Sequence, residues 1–397
     1  MPTDKIARRV AEGGLRPGWI VCGALITGVA GFPAQAQLKL DGHLSETGQY
    51  DSNVFRVSPG TARDELGTKH REDYVSDTQA GADAQYLIGQ QRLYASGDVD
   101  RLVYDHWSQL DRNEFQWLGG MDYKLGTEVD GNGEYREQRR MVAEENRAAP
   151  SLNRDMELDR NAGGSFNVNV TPEWRVETRA DWTEQDSPSA DAFFHYDETK
   201  YTLGLKYLGL GPITTGLQAQ YLTGAYADGV ENGPYRQVNL DYTLDWKQNA
   251  NSDLTLLLGG SKRRGRDGST QSFDGFTGEL DYKNAVTAKT TVGASVFRRV
   301  QTDAVVADYV AETGTSVYAN WQATPKIYVN LLASYTDDKY KLSGREDKLA
   351  LAQLGLNYQA LRWFSLKPSV QYENRDSNTS QFSFADTVAS LELKAQF

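Results

Sequence analysis

Cysteine is almost missing: the 397 residues contain one, Cys22. Neither a disulfide framework nor a cysteine-based zinc site can be built from that. Proline (11) and methionine (4) are also scarce. Positive charge is in deficit, with 42 Lys plus Arg against 54 Asp plus Glu and a net charge of -12. That balance argues against nucleic acid as a partner. No apolar run approaches the roughly 20 residues that a membrane-spanning helix needs. The four histidines, His43, His70, His106 and His195, form no His-x-x-x-His pair, and there is no Gly-x-Ser-x-Gly elbow or phosphate loop. Asp130-Gly131-Asn132-Gly133-Glu134 is similar to the opening of a calcium loop, yet Met141 stands where the bidentate Glu belongs, so it reads as polar strand. No enzyme, cofactor or metal is expected.

Aromatic residues, by contrast, make up 11% of a chain whose mean hydropathy is -0.60. Such a chain is too rich in rings for disorder and too polar for a helical membrane protein. Residues 1 to 36 read as an export signal: basic Lys5, Arg8, Arg9 and Arg16, the apolar run 19 to 32, then Ala34-Gln35-Ala36. Cleavage after Ala36 would discard Cys22 and leave 38 basic against 52 acidic residues.

Residues 37 to 397 alternate repeatedly. Val238, Leu240, Tyr242, Leu244 and Trp246 lie on one parity, with Asn239, Asp241, Thr243, Asp245 and Lys247 on the other. Trp174 to Trp182, Tyr201 to Tyr207, Ile327 to Tyr335 and Phe364 to Tyr372 repeat the pattern. Each is a strand with one apolar and one wet face. The stretches near 91 to 104 and 127 to 143 carry charge on both parities, as strands reaching beyond a membrane would, or as a slipped register would.

A sandwich or propeller also alternates, so the connections decide. Eighteen segments are expected, sixteen being the other count, joined alternately by short links (Gly89-Gln90, Gly126-Thr127, Thr171 to Glu173, Gly209 to Gly211) and long ones, among them 51 to 73, 301 to 312 and 337 to 347. Short periplasmic turns and long outer loops mark an antiparallel up-and-down barrel of the bacterial outer membrane. Tyr86, Tyr123, Trp174, Tyr207, Trp246, Tyr282, Trp321, Tyr358 and Phe364 sit beside the short turns, where an interfacial girdle belongs. Ala389, Leu391, Leu393, Ala395 and Phe397 resemble the signal read by barrel-assembly machinery. Lipid excludes open sheet edges, so the first strand must pair with the last.

On this parity the lumen receives both signs of charge: Arg175, Arg179, Lys206, Lys247, Lys283, Lys367 and Lys394 with Glu177, Asp181, Asp241, Asp245, Glu279, Asp281 and Glu392. Such rows can orient hydroxylated or charged solutes, and they also solvate any water-filled barrel. His43 and Ser45 face the lumen too, not the outer wall where a lipase would need them. Lys262, Arg263, Arg264 and Arg266, with Arg298, Arg299, Arg136, Arg139 and Arg140, are candidates for a cationic collar toward an acidic polymer or lipopolysaccharide phosphates, although solvated loops carry such charges routinely and that plainer reading is favoured.

Tyr50-Asp51-Ser52-Asn53-Val54-Phe55-Arg56, followed by a loop containing Gly, Asp and Glu, resembles the opening of the EpsL-type outer-membrane β-barrel porins linked to exopolysaccharide operons. The resemblance implies polysaccharide and its export machinery as partners beside outer-membrane lipid, with Asp51, Asn53 and Arg56 at the outer end of strand 1 and no catalytic residue. Asp51 or Asn53 equally suits a turn cap. The expected role is assistance in polysaccharide secretion; a general diffusion porin and an adhesive surface barrel are the alternatives.

Overall fold

The structure is a computed structural model that describes residues 36–143, 151–187, 194–226, 234–265, 272–303 and 307–397. Apart from Ala36, the expected export signal lies outside the described residues, as does Arg266. Eighteen strands follow one another: β1 Ala36–Asp51, β2 Asp73–Ile88, β3 Gln91–Tyr104, β4 Arg112–Leu125, β5 Val129–Met141, β6 Met156–Asn169, β7 Trp174–Ser187, β8 Phe194–Leu210 and β9 Ile213–Tyr226. Then come β10 Tyr235–Asn249, β11 Ser252–Gly265, β12 Ser272–Thr287, β13 Thr290–Asp303, β14 Asp308–Thr324, β15 Ile327–Tyr340, β16 Glu346–Leu361, β17 Phe364–Ser377 and β18 Phe384–Gln396. Among the described residues one short α-helix, α1 (Pro59–Asp64), lies between β1 and β2, capped by the Ser58 side chain.

Each strand pairs antiparallel with the next, and β1 closes on β18 from His43↔Gln396 to Asp51↔Val388. Every described strand thus has a neighbour on both sides, as backbone groups that meet a bilayer require. The backbone of Phe397 completes the seam by exchanging two bonds with Gly42, at 2.7 and 2.9 Å. Glycines at positive φ, Gly89, Gly126 and Gly211, sit in three of the tight turns at the β1 start of the barrel.

Leu38, Leu40, Leu203, Leu205, Leu240, Leu331, Leu354 and Val370 are exposed large apolar side chains, all on one face of the closed sheet. That face is the lipid-facing wall, and the expected girdle lies on it; Trp174 and Tyr207 stack at 4.9 Å. Strands run from 13 to 17 residues, longer than the 9–11 that cross a bilayer, so they project beyond it. The two stretches with charge on both parities are explained this way. β3, β4 and β5 keep an unbroken register, and Arg101, Glu137 and Arg139 fall on the outer face at the projecting ends.

Two expected long loops are corrected. β13 and β14 continue to Asp303 and from Asp308, and β15 and β16 leave only 341–345 between them. Charges within 301 to 312 and 337 to 347 are satisfied inside the barrel: Glu312 by Arg299 at 2.7 Å, and Asp347 by Arg345 at 3.1 Å.

Candidate functional site

The site is the lumen, and it changes character along the barrel. Toward the turn end, ion pairs circle the wall. Arg175 on β7 grips Asp130 of β5 with both terminal nitrogens, at 2.7 Å each, and turns its Nε to Glu177 at 3.0 Å. Lys206 on β8 bridges Glu177 (3.2 Å) to Asp245 on β10 (3.6 Å). One step outward, Asp181 holds Arg179 at 2.6 Å and Lys200 at 3.4 Å. Lys367–Glu392 at 2.8 Å and Lys39–Asp41 at 2.6 Å line the wall from β17 round to β1. Lys247, Glu279, Asp281 and Lys283 share the lumen parity, while Asp241 is buried against Gly259. Alternation on regular strands thus delivers the expected charges to one face.

Flat aromatic surface accompanies them. Gly120 leaves room for Tyr94 to lie across β4 and reach Glu134 at 3.4 Å, and Gly293 does the same for Tyr318. These carboxylates, amines and rings lie beside water: the Asp245 side chain is 41% exposed. Pairs this exposed are worth about 0–1 kcal/mol each, weak enough for a passing solute to exchange with.

The outer mouth is packed instead. The sequence Tyr50 to Arg56 forms a corner in which Asp51 accepts the Asn53 backbone N–H (2.8 Å) and Arg56 NH1 (3.0 Å), while Arg56 NH2 meets Asp386 of β18 at 3.1 Å. Asn53, fully buried, donates to the carbonyls of Val57 (2.9 Å) and Ala385 (3.0 Å). Asp51 is therefore a turn cap, and Asn53 a clamp between the first and last strands. Phe55 then packs edge-on against Trp107, within a cluster completed by Val54, Val57, Ala62 and Leu110.

Across the mouth, Arg263 of β11 lies 3.4 Å over the Tyr235 ring and 4.8 Å from that of Tyr309, with NH1 donating to Thr302 at 3.0 Å. The Tyr235 hydroxyl contacts those of Tyr196 (2.7 Å) and Thr302 (2.8 Å) and donates to Glu198. Arg345 is sandwiched between Tyr340 and Phe382 at 3.6 and 4.2 Å. Arg263 is 1% exposed and Glu312 0%. Burying charge requires such pairing and stacking.

The basic residues do not assemble into one collar. The pleat sends neighbours to opposite faces: Arg264 and Lys262 meet Asp274 on the outer wall while Arg263 is buried inside, and Arg298 reaches Thr313 outside while Arg299 binds Glu312 inside. Arg140 joins Glu157 and Asp159 in the lumen, where Arg136 also falls by parity, and Arg139 falls on the outer wall. His43 and Ser45 do face the lumen, but His43 binds Asp98 at 3.0 Å and Ser45 donates to Gln79. The mouth residues Tyr226, Tyr235, Thr302 and Tyr309 were not among the sequence candidates. One signal was present: Asp308-Tyr309-Val310-Ala311-Glu312 carries apolar residues on both parities, as a strand buried on both faces does.

The model of a family described as "Putative beta-barrel porin 2" matches residues 255–397. No curated protein matches the chain. Among solved structures, the chain is similar to OpdK of Pseudomonas aeruginosa with vanillate, at TM-score 0.50 and 10% identity, covering 90% of this chain and 99% of that one. OccAB3 of Acinetobacter baumannii gives 0.48 at 10%, covering 90% and 99%. A mutant ferric enterobactin receptor, PfeA, of P. aeruginosa gives 0.48 at 8%, covering 90% and 80%. At such identity the likeness to OpdK is one of fold. Together with the closed sheet and its apolar wall, these findings make the chain a porin-like barrel of the bacterial outer membrane.

Proposed function

We propose that this barrel conducts a hydroxyl-rich polymer outward, assisting exopolysaccharide secretion rather than serving as an open diffusion pore. The observation that carries the reading is the contrast along one lumen: exchangeable ion pairs and flat tyrosines toward the turn end, then buried Arg–aromatic and Arg–carboxylate contacts toward the outer end. Sugars offer hydroxyls to charged rows and apolar ring faces to Tyr94 and Tyr318, so both surface types suit a saccharide chain. Weak pairs of alternating sign let a chain advance without being trapped at one station. Buried packing at the outer end suits a mouth that narrows around a chosen cargo; a general porin needs no such packing. The EpsL-like opening Tyr50 to Arg56, which builds part of that mouth, supports the same reading.

The test is deletion of the gene in its host, with secreted and periplasmic polysaccharide quantified. Loss of secreted polymer with periplasmic accumulation, restored by the intact gene, is expected. Unchanged secretion overturns the reading and leaves small-solute passage or surface adhesion.

A further inference from the structure

Three cations gather on the outer wall at the far end of β10 and β11. On the lipid-facing parity Arg236 stands opposite Arg264, and Val238 opposite Lys262. Like charges set directly across a strand pair repel, so this placement works against the sheet's own stability. Among the described residues one carboxylate answers the group: Asp274 of β12, 67% exposed, lies 3.6 Å from Arg264 and 3.8 Å from Lys262. Arg264 is also fixed by its NH1, which donates to Ser272 Oγ at 3.0 Å and to the Phe273 carbonyl at 3.1 Å. Arg236 is exposed and forms no ion pair among the described residues.

Their height is that of a lipid headgroup. From Trp246, in the turn-end girdle, to Arg236 the strand covers about 33 Å at about 3.3 Å per residue, which a tilt of about 40° turns into about 25 Å along the bilayer normal. An apolar band is about that tall, so the cations stand where the polar groups of the outer leaflet begin. Exposed apolar side chains lead up to them: Val238, Leu240, Leu258 and Phe276. In the row Leu240–Gly260–Phe276 the middle position has no side chain, and a Cβ there would meet nothing nearer than 3.5 Å. The apolar wall is therefore notched immediately beneath Lys262.

We propose that Arg236, Lys262 and Arg264 bind a phosphate of a lipopolysaccharide molecule in the outer leaflet, one of whose acyl chains lies in the notch over Gly260. Guanidinium groups meet phosphate oxygens with paired, charge-assisted bonds, and lysine adds a point charge. The occupant must be anionic above and apolar below, and it must reach the barrel from the bilayer. A second copy of this chain packed symmetrically here would bring the same cations and be repelled, and a polymer in the lumen never meets this face. The bound phosphate offsets the repulsion between Arg236 and Arg264. This inference concerns the outer wall and does not rest on polysaccharide as cargo.

Native mass spectrometry of the full mature barrel, titrated in detergent with bisphosphorylated lipid A, tests it. Lipid A stripped of its phosphates and phosphatidylglycerol serve as comparison lipids. With about tenfold or less per cation, the combined Arg236→Gln, Lys262→Gln and Arg264→Gln variant should bind lipid A roughly a hundredfold more weakly than wild type. Arg236→Gln alone breaks no bond among the described residues, so it should keep heat-modifiable folding and weaken binding about fivefold. Arg298→Gln, on the same wall but outside the cluster, should leave binding unchanged. Wild-type affinity in folded Arg236→Gln overturns the site, as does equal binding of phosphate-free lipid A or an equal loss in Arg298→Gln. Phosphatidylglycerol held as tightly as lipid A overturns lipopolysaccharide as the occupant.

Discussion

Replacing Asn53 by Ala removes the clamp between the first and last strands. Its side chain donates to Val57 O and Ala385 O and accepts the Val57 N–H at 3.3 Å, with no exposure to water. Each bond contributes about 1 kcal/mol net, and leaving the buried carbonyls unpaired adds to the loss. Asn53→Ala should therefore cost about 3 kcal/mol locally, roughly a hundredfold in the opening equilibrium. The ladder from Ala36↔Ile88 to Asp51↔Asp73 does not depend on this side chain, so the effect belongs to the mouth and not to the barrel. Hydrogen exchange followed by mass spectrometry on protein in vesicles reads it directly. Peptides covering 51–73 and 384–390 should exchange about a hundredfold faster, with mid-strand peptides of β6 to β8 unchanged. Equal protection in mutant and wild type at both mouth peptides would refute the clamp.

Arg175→Ala leaves Asp130 and Glu177 without their shared guanidinium. Because these groups are partly exposed, stability should fall by no more than about 1 kcal/mol. Reversal potentials in a salt gradient should nonetheless shift toward cation selectivity, less so at high ionic strength, and an unshifted potential would take this row out of the conducting path. Gly81→Val would set a Cβ 2.1 Å from Asp98 Oδ1 and 2.4 Å from His43 Cε1, forcing the His43–Asp98 pair apart. About 1–3 kcal/mol should be lost in urea titrations, whereas Gly48→Val, with nothing near its Cβ, should be tolerated; equal behaviour of the two would count against the packing described. Near α1, backbone N–H groups of Glu72 itself and of Arg71 hold the Glu72 carboxyl below the ordinary carboxylate range. The stabilisation is present above that range and lost as pH falls through the lowered value, so the protection factors of amides 68–72, with the pH-dependent intrinsic exchange rate divided out, should fall on acidification and not on alkalinisation.

The barrel was legible because its determinants are local. Alternation in Val238 to Trp246 or Trp174 to Trp182 fixes which side chains meet lipid, and turn lengths fix which end is which. Closure followed from the physics of sheet edges in lipid, and the charges Arg175 to Asp181 went to the lumen by parity alone. The mouth was not legible, because its contacts join distant strands: Asn53 with Ala385, Tyr226 with Asp308, and Arg263 with Thr302. Local alternation cannot report that Thr302, on the lipid parity of its strand, has turned inward. Consecutive basic residues were illegible for the opposite reason: a cluster in sequence, such as Lys262 to Arg264, is divided between two faces by the pleat.

The most direct measurement of the central claim, a conduit narrowed at its outer mouth, is the conductance of the purified wild-type protein in a planar bilayer. A low conductance is the expected result. Steady, ohmic, large conductance from the moment of insertion would contradict it.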